Sequence, residues 1–240
     1  SNIIGDNDYY RKFNIKDLNN SLLNSLRRII ISEIDTYGFE SDTELTKIIE
    51  NNTKYHNEFL AHRISLIPLN IVEDNFEYEN YKFILKKENN DSEAILNVCA
   101  NDFEVYTRKD EDNDWIKQEN SVSKFFKQSE ISNDYIFICP LRSGEKISLE
   151  CRLSKKNGKY NSSFSPVCKS VFYNSYDEEK CEQVLAEKLK SIDTQEEKEI
   201  KRKLFYNTDA YKYYKVNEKN EPYNFIFEIE SIGILSVDQI

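Results

Sequence analysis

The chain has no methionine, one tryptophan and two histidines, and among its 240 residues only five glycines and four prolines. A translated chain begins with methionine and this one begins with Ser1, so the native start is expected to have been lost to processing or trimming. Positive charge is also short: 33 basic against 43 acidic residues give a net charge of -10, where a dedicated nucleic-acid binder carries a basic face. No apolar run approaches the roughly 20 residues that cross a bilayer. No signal-peptide pattern opens the numbered chain, and the expectation is a soluble, intracellular protein. The five cysteines, Cys99, Cys139, Cys151, Cys168 and Cys181, stand singly with no C-x-x-C pair, which favours free thiols over a zinc knuckle or a disulfide frame. His56 and His62 miss the four-residue step that puts two imidazoles on one helical face, so no metal and no cofactor is expected. Gly158, alone in the basic run Lys155–Lys159, makes no phosphate cradle, and that run reads as a loop.

What is present is organised around one amphipathic helix, Asn24–Ile34. Leu22, Leu26, Ile29 and Ile30 recur at the i, i+4, i+7, i+8 spacing of a single apolar face, with Leu23 and Ile34 widening it. Asn19, Asn20 and Ser21 supply oxygens suited to cap its first N–H groups, and Tyr37-Gly38 offers a stop. The tandem Arg27-Arg28 at the margin of that stripe suits recognition of carboxylates or carbonyls on a partner.

Tyr10–Lys16 reads as a half-buried strand leading into the helix, and Leu45–Ile49 as a second extended segment. Glu40, Asp42 and Glu44 between them read as solvated charge. In Tyr55–Leu69, a stripe of Phe59, Leu60, Arg63, Ile64 and Ile67 predicts a helix closed by Pro68, with His62 held by a nearby carbonyl. From Phe76 to Ser154 the pattern becomes short and alternating. Tyr81–Leu85, Ala94–Val98, Phe103–Tyr106, Tyr135–Cys139 and Lys146–Cys151 predict strands, with a turn at Arg142–Glu145 and a solvated acidic loop at Asp110–Asp114. Glu178–Phe205 reads as helical with balanced charge, Phe225–Glu230 as a last strand ended by Gly233, and Ser236 with Gln239 as a capping box opening a further helix.

Taken in order, these segments resemble a known family. Asn24–Ile34 is similar to the N-S/A-L-R-R helix of the alpha-like subunits of multisubunit DNA-directed RNA polymerases, and Glu58–Leu69 to their E-F-I-A-H-R-L-G-L-I-P-L segment. Leu141–Glu145, Phe164–Val167 and Phe225–Gly233 follow in the family's order. The resemblance implies an α+β fold with a dimerisation domain from residues 1–39 and 168–240 and a mostly β insert over 40–167. It implies no catalytic residue. It implies heterodimerisation with a small alpha-like subunit, separate or fused beyond Ile240, and docking of the second-largest catalytic subunit and of small zinc-bearing subunits. The surfaces expected to serve are Leu22, Leu26, Arg27, Arg28, Ile29 and Ile30 on the first helix, Glu58, Phe59, His62 and Arg63 on the second, and Phe227 and Ile229 on the last strand.

This chain departs from the family pattern in three places. The cysteine cluster of eukaryotic inserts is lacking, Asn157–Ser163 replaces a glycine- and histidine-containing loop, and the C-terminal dimerisation helix does not follow Ile240. The expected compartment is the nucleus, or a virion or host cytoplasm for a large DNA virus. A stand-alone interaction module of the same architecture is the competing expectation. An enzyme ranks third, because no nucleophile–base pair, P-loop or metal cluster is evident.

Overall fold

The computed structural model describes residues 2–41, 44–73, 75–91, 93–108, 114–119, 121–129, 132–190 and 192–240. Its elements in chain order are β1 (Asn2–Asn7), β2 (Tyr10–Lys16), α1 (Asn20–Ser32), β3 (Asp35–Phe39), β4 (Thr46–Asn51) and α2 (Asn57–Ser65). There follow β5 (Tyr81–Glu88), β6 (Leu96–Cys99), β7 (Phe103–Thr107), β8 (Ile116–Gln118), α3 (Val122–Phe125), β9 (Phe137–Leu141) and β10 (Lys146–Asn157). The chain finishes with β11 (Val167–Asn174), α4 (Glu178–Leu189), α5 (Gln195–Thr208) and β12 (Asn224–Ser231). The mixture is α+β, and it divides into two compact units.

The first unit comprises Ser1–Ile31, Val167–Ser231 and Ser236–Ile240. Its antiparallel sheet runs in the order β1-β2-β12-β11. Period-2 alternation in β12 turns Phe225, Phe227 and Ile229 to one face, where Leu23 and Ile30 of α1 pack upon them with Val167 and Val237. The Phe227 ring stacks between Phe13, 5.6 Å away, and Phe172, 6.3 Å away. Helices α4 and α5 close a smaller core of Cys181, Leu185, Phe205 and Ala210.

The second unit comprises Ser32–Pro166 and Ile232–Leu235. Strand β10 organises it, pairing through its first half with β4 and β5 and through its last residues with β3. Beyond β5 the sheet continues through β7 to β8, while β6 and β9 form a separate pair. Phe39, Phe83, Phe103, Phe125 and Phe126 fill the core, with Leu60 and Ile64 of α2. Buried Asn89 ties its margin together, donating to the carbonyls of Ala94 and Leu141 at 2.9 Å each.

Several sequence expectations are revised. Tyr37-Gly38 does not stop α1; both lie in β3, which pairs with β10 and so belongs to the second unit, whereas the resemblance implies a first domain running to residue 39. A Cβ on Gly38 would lie 2.8 Å from Phe164 Cε1, so this glycine serves a close approach to an aromatic ring. Glu40 is buried and accepts from the Tyr160 hydroxyl at 2.7 Å, whereas Asp42 lies outside the described residues. Lys155 and Lys156 continue β10 instead of forming a loop. The helical stretch predicted over 178–205 is two helices, and β1, β3, β8 and β11 carry no clean alternation in sequence. Of the acidic loop Asp110–Asp114, residues 110–113 lie outside the described residues.

Candidate partner interface

Helix α1 begins where Asp17, at φ 62°, turns the chain out of β2 and the side chain of Asn19 accepts from the N–H of Leu22 at 2.8 Å. It carries two apolar stripes. Leu23 and Ile30 are buried on the sheet, while Leu22 is 56% exposed, Leu26 39% and Ile29 51%. The single face read from the sequence is therefore split. Ile30, expected at the partner surface, belongs to the core because its register places it one heptad after Leu23. Phe227 and Ile229 are likewise core residues, since their side of β12 is the side that α1 covers.

Arg27 is half-buried and is fastened to its own helix, its Nε and one terminal nitrogen donating to Asn24 Oδ1 at 3.1 and 3.0 Å. Arg28 is exposed. At the chain's other end Gln239 Oε1 accepts from the Ser236 N–H at 2.9 Å, which is half of the capping box read from the sequence. The turn is anchored to the first unit by the Val237 N–H on the Asp8 carbonyl at 2.9 Å and by Asp238 on Arg11 at 2.6 Å.

On its opposite face the first unit's sheet buries a carboxylate. Glu228 receives Lys12 at 2.9 Å, the Tyr173 hydroxyl at 2.7 Å, and Lys169. Burial alone pushes this carboxyl up, but hydrogen bonds from Lys169, Tyr173 and Lys12 together outweigh it and hold it at about 2. Lys12 is correspondingly raised, first by its hydrogen bonds to Tyr173 and Glu228.

The second surface lies on the second unit. Helix α2 buries Leu60, Ala61 and Ile64 and leaves Glu58, Phe59 and His62 exposed. His62 therefore points outward, not toward the nearby carbonyl expected from its apolar neighbours. Phe59 stacks on Tyr55 with centroids 5.9 Å apart and planes 11° from parallel. Arg63 donates to the Phe137 carbonyl at 3.0 Å and stands 5.7 Å from the Phe137 ring, so its guanidinium braces β9. The helix ends at Ser65, with the Ile67 N–H on the Ile64 carbonyl tightening the chain before Pro68.

The expected residues thus fall into separate groups: an α1 surface in one unit, an α2 surface in the other, and three core residues. Tyr55, Leu66 and Phe137 are exposed apolar neighbours that the sequence reading left out. Tyr55 stacks on Phe59 from just before α2 and Leu66 follows directly after it, whereas Phe137 meets Arg63 only through the fold. Among the described residues no group of three or more His, Cys, Asp and Glu side chains is arranged to hold a metal. Among the described residues, too, no helix is long and apolar enough to cross a membrane.

The sequence matches the family model described as the RNA polymerase Rpb3/Rpb11 dimerisation domain over residues 12–240. It is 30% identical over 181 residues to a conjugation stage-specific protein of Tetrahymena thermophila, covering 67% of this chain and 54% of that one. It is 28% identical over 187 residues to the DNA-directed RNA polymerases I and III subunit rpac1 of Dictyostelium discoideum, covering 71% and 51%. With the DNA-directed RNA polymerase subunit Rpo3 of Methanocaldococcus jannaschii it shares 30% identity over 159 residues, 66% of each. The chain spans about half the length of the first two of these relatives.

Proposed function

This chain belongs to the family of the RNA polymerase Rpb3/Rpb11 dimerisation domain, and on that premise we propose that it is a non-catalytic assembly subunit of a DNA-directed RNA polymerase. The observation that carries the reading is the exposed stripe of Leu22, Leu26 and Ile29 on α1, a helix that lies within residues 12–240 matched by the dimerisation family model. A small alpha-like subunit, separate or fused, covers this stripe, and each side chain contributes about 1.5–3 kcal/mol when fully buried. Arg27 and Arg28 on α1, and the Glu58–Arg63 surface on α2, meet the second-largest subunit through charge-assisted and aromatic contacts. Small zinc-bearing subunits complete the platform. Its place of work is that of the polymerase, in a eukaryotic cell the nucleus.

The acidic balance supports a role in protein assembly over one in holding nucleic acid directly. The test is purification of the tagged chain from its native cell, wild type beside the double variant Leu26→Asp, Ile29→Asp. The wild type is expected to bring down polymerase subunits and the variant to lose the small alpha-like one. Retention of that subunit by the variant, or a wild-type complex with no polymerase subunit in it, overturns the reading. The second result would mark a stand-alone interaction module.

A further inference from the structure

We propose that the outer face of the second unit's sheet carries a docking site for an acidic segment of a partner protein, centred on Lys82, Arg152 and Trp115. The site goes beyond the polymerase reading and does not depend on it. Three cations meet on one indole there. Lys82 Nζ lies 4.8 Å from the centre of the Trp115 ring, and the guanidinium carbons of Arg108 and Arg152 lie at 4.9 and 5.6 Å. The strand register enforces the crowding: Arg152 of β10 stands directly opposite Lys82 of β5, and Lys82 opposite Tyr106 of β7. Like charges facing one another across a strand pair destabilise a sheet, so this row costs the fold stability.

The chain answers the two facing cations only in part. Glu150 shares their side of β10, but its oxygens stand 3.7 Å from Lys82 Nζ and 3.8 Å from Arg152 Nε, beyond hydrogen-bonding reach. The Lys82 side chain is only 14% exposed, yet among the described residues its three N–H donors find no acceptor. Arg152, 44% exposed, holds its guanidinium at the surface beside it. The first unit settles its own buried charge the other way, since Glu228 takes Lys12 at 2.9 Å, the Tyr173 hydroxyl at 2.7 Å and Lys169. That site is closed, whereas the one at Lys82 has donors to spare.

The chemistry of the site selects its occupant. A carboxylate meets a guanidinium through two parallel hydrogen bonds, and one seated on Arg152 comes within reach of the ammonium beside it. Cations already stand over the Trp115 ring, which disfavours nucleobase stacking upon it. The row from Arg152 to Tyr106 crosses two strand spacings, about 10 Å. Glu150 and Glu104 lie in the next row, each opposite Ile84. A nucleic-acid duplex, charged at every ~1.7 Å of its axis, would carry phosphates onto those carboxylates. A peptide with two or three acidic residues fits inside the row.

Trp115 is the chain's only tryptophan, so its emission reports on this site directly. The test titrates the full chain with a hexaglutamate peptide at low ionic strength and follows that emission. A saturable change that salt abolishes is expected. Arg152→Gln and Lys82→Gln should each weaken binding by about 10-fold or more, the loss of one charge-assisted hydrogen bond. Arg152→Gln should also melt no lower than wild type, because it removes one of two opposed cations. Glu150→Gln, which removes the competing carboxylate, should bind the peptide more tightly. No saturable change in the wild type overturns the proposal. Unaltered peptide binding by Arg152→Gln, with a lowered melting point, assigns the cluster to stability alone and overturns it too. Tighter binding of a single-stranded oligonucleotide of equal charge overturns the choice of occupant. Displacement of the peptide by an equal concentration of inorganic phosphate reduces the site to a simple anion pocket and overturns it as a docking surface.

Discussion

Lys12 and Glu228 face one another across the β2–β12 pair at 2.9 Å, and although Glu228 sits at the sheet surface its side chain is only 8% exposed. Folding has drawn a charged carboxylate out of water and satisfied it with two ammonium groups and a phenol. Glu228→Gln removes the charge while the two lysines stay, and a cost of about 2 kcal/mol is expected. The carboxyl is held at about 2, below its unfolded value, so its stabilisation is fully present above the unfolded pKa and is lost as pH falls toward 2. Urea midpoints between pH 6 and pH 2.5 should therefore fall more steeply for the wild type than for the variant. Parallel curves would rule out the linkage.

The two stripes of α1 should separate cleanly under mutation. Leu23→Ala truncates a fully buried side chain and is expected to cost about 2–5 kcal/mol in a thermal melt. Leu26→Ala, at an exposed position, should change stability by less than about 0.5 kcal/mol yet weaken co-purification of the small alpha-like partner. Equal melting losses at the two positions would contradict the split.

Gly38→Ala is expected to destabilise the second unit by about 1–3 kcal/mol, because the new methyl would press on the Phe164 ring at 2.8 Å. Pairing it with Phe164→Leu should recover part of the loss. A double variant that melts where additivity predicts would show that the ring is not the obstacle.

Asn89→Ala strands two carbonyl acceptors, those of Ala94 and Leu141, and a loss of about 1–3 kcal/mol is expected. Amide exchange should localise the loosening to the second unit, and uniform acceleration of both units would contradict it.

Thiol labelling should follow burial. Cys168 is exposed and should alkylate first in the native protein. Burial pushes Cys139 up to about 11 and Cys151 to about 12, so both should stay unlabelled until urea unfolds the chain. Mass mapping of the alkylated peptides decides the order.

The fold was legible where one periodicity held over a whole element. The alternation of Phe225, Phe227 and Ile229 and the strands at Tyr81, Phe103 and Lys146 were readable because each sets apolar side chains on one face and mostly polar ones on the other. β3 was missed because its Asp35-Thr36-Tyr37-Gly38-Phe39 sequence is buried on both faces after Asp35, and a glycine there resembles a helix stop. The break between α4 and α5 is written in Asp193 and Thr194, poor helix formers of which Thr194 is the N-cap residue of α5, and the strongly helix-forming stretches on either side of them mask it.

The candidate surface was legible as a set of residues on two helices, but not as to which of them faces outward. Leu22, Leu26, Ile29 and Ile30 look like one stripe in sequence. Only the packing of Leu23 against Phe225 and Phe227 fixes the rotation of α1 and assigns Ile30 to the interior. Arg63 on Phe137 joins residues far apart in sequence, and no local pattern announces such a pair.

The strand pairing that joins β2 to β12 also bears on how this protein is made. During synthesis α1 and β2 leave the ribosome early, but the strands that complete their sheet, β11 and β12, follow only after the whole of Ser32–Pro166. The second unit gathers nearly all its residues first. Until β12 arrives, Leu23 and Ile30 are as bare as Leu22 and Leu26, and the nascent chain displays both apolar stripes of the helix. Non-local closure of this kind is slow, so this chain is expected to lean on chaperones until its last strand docks.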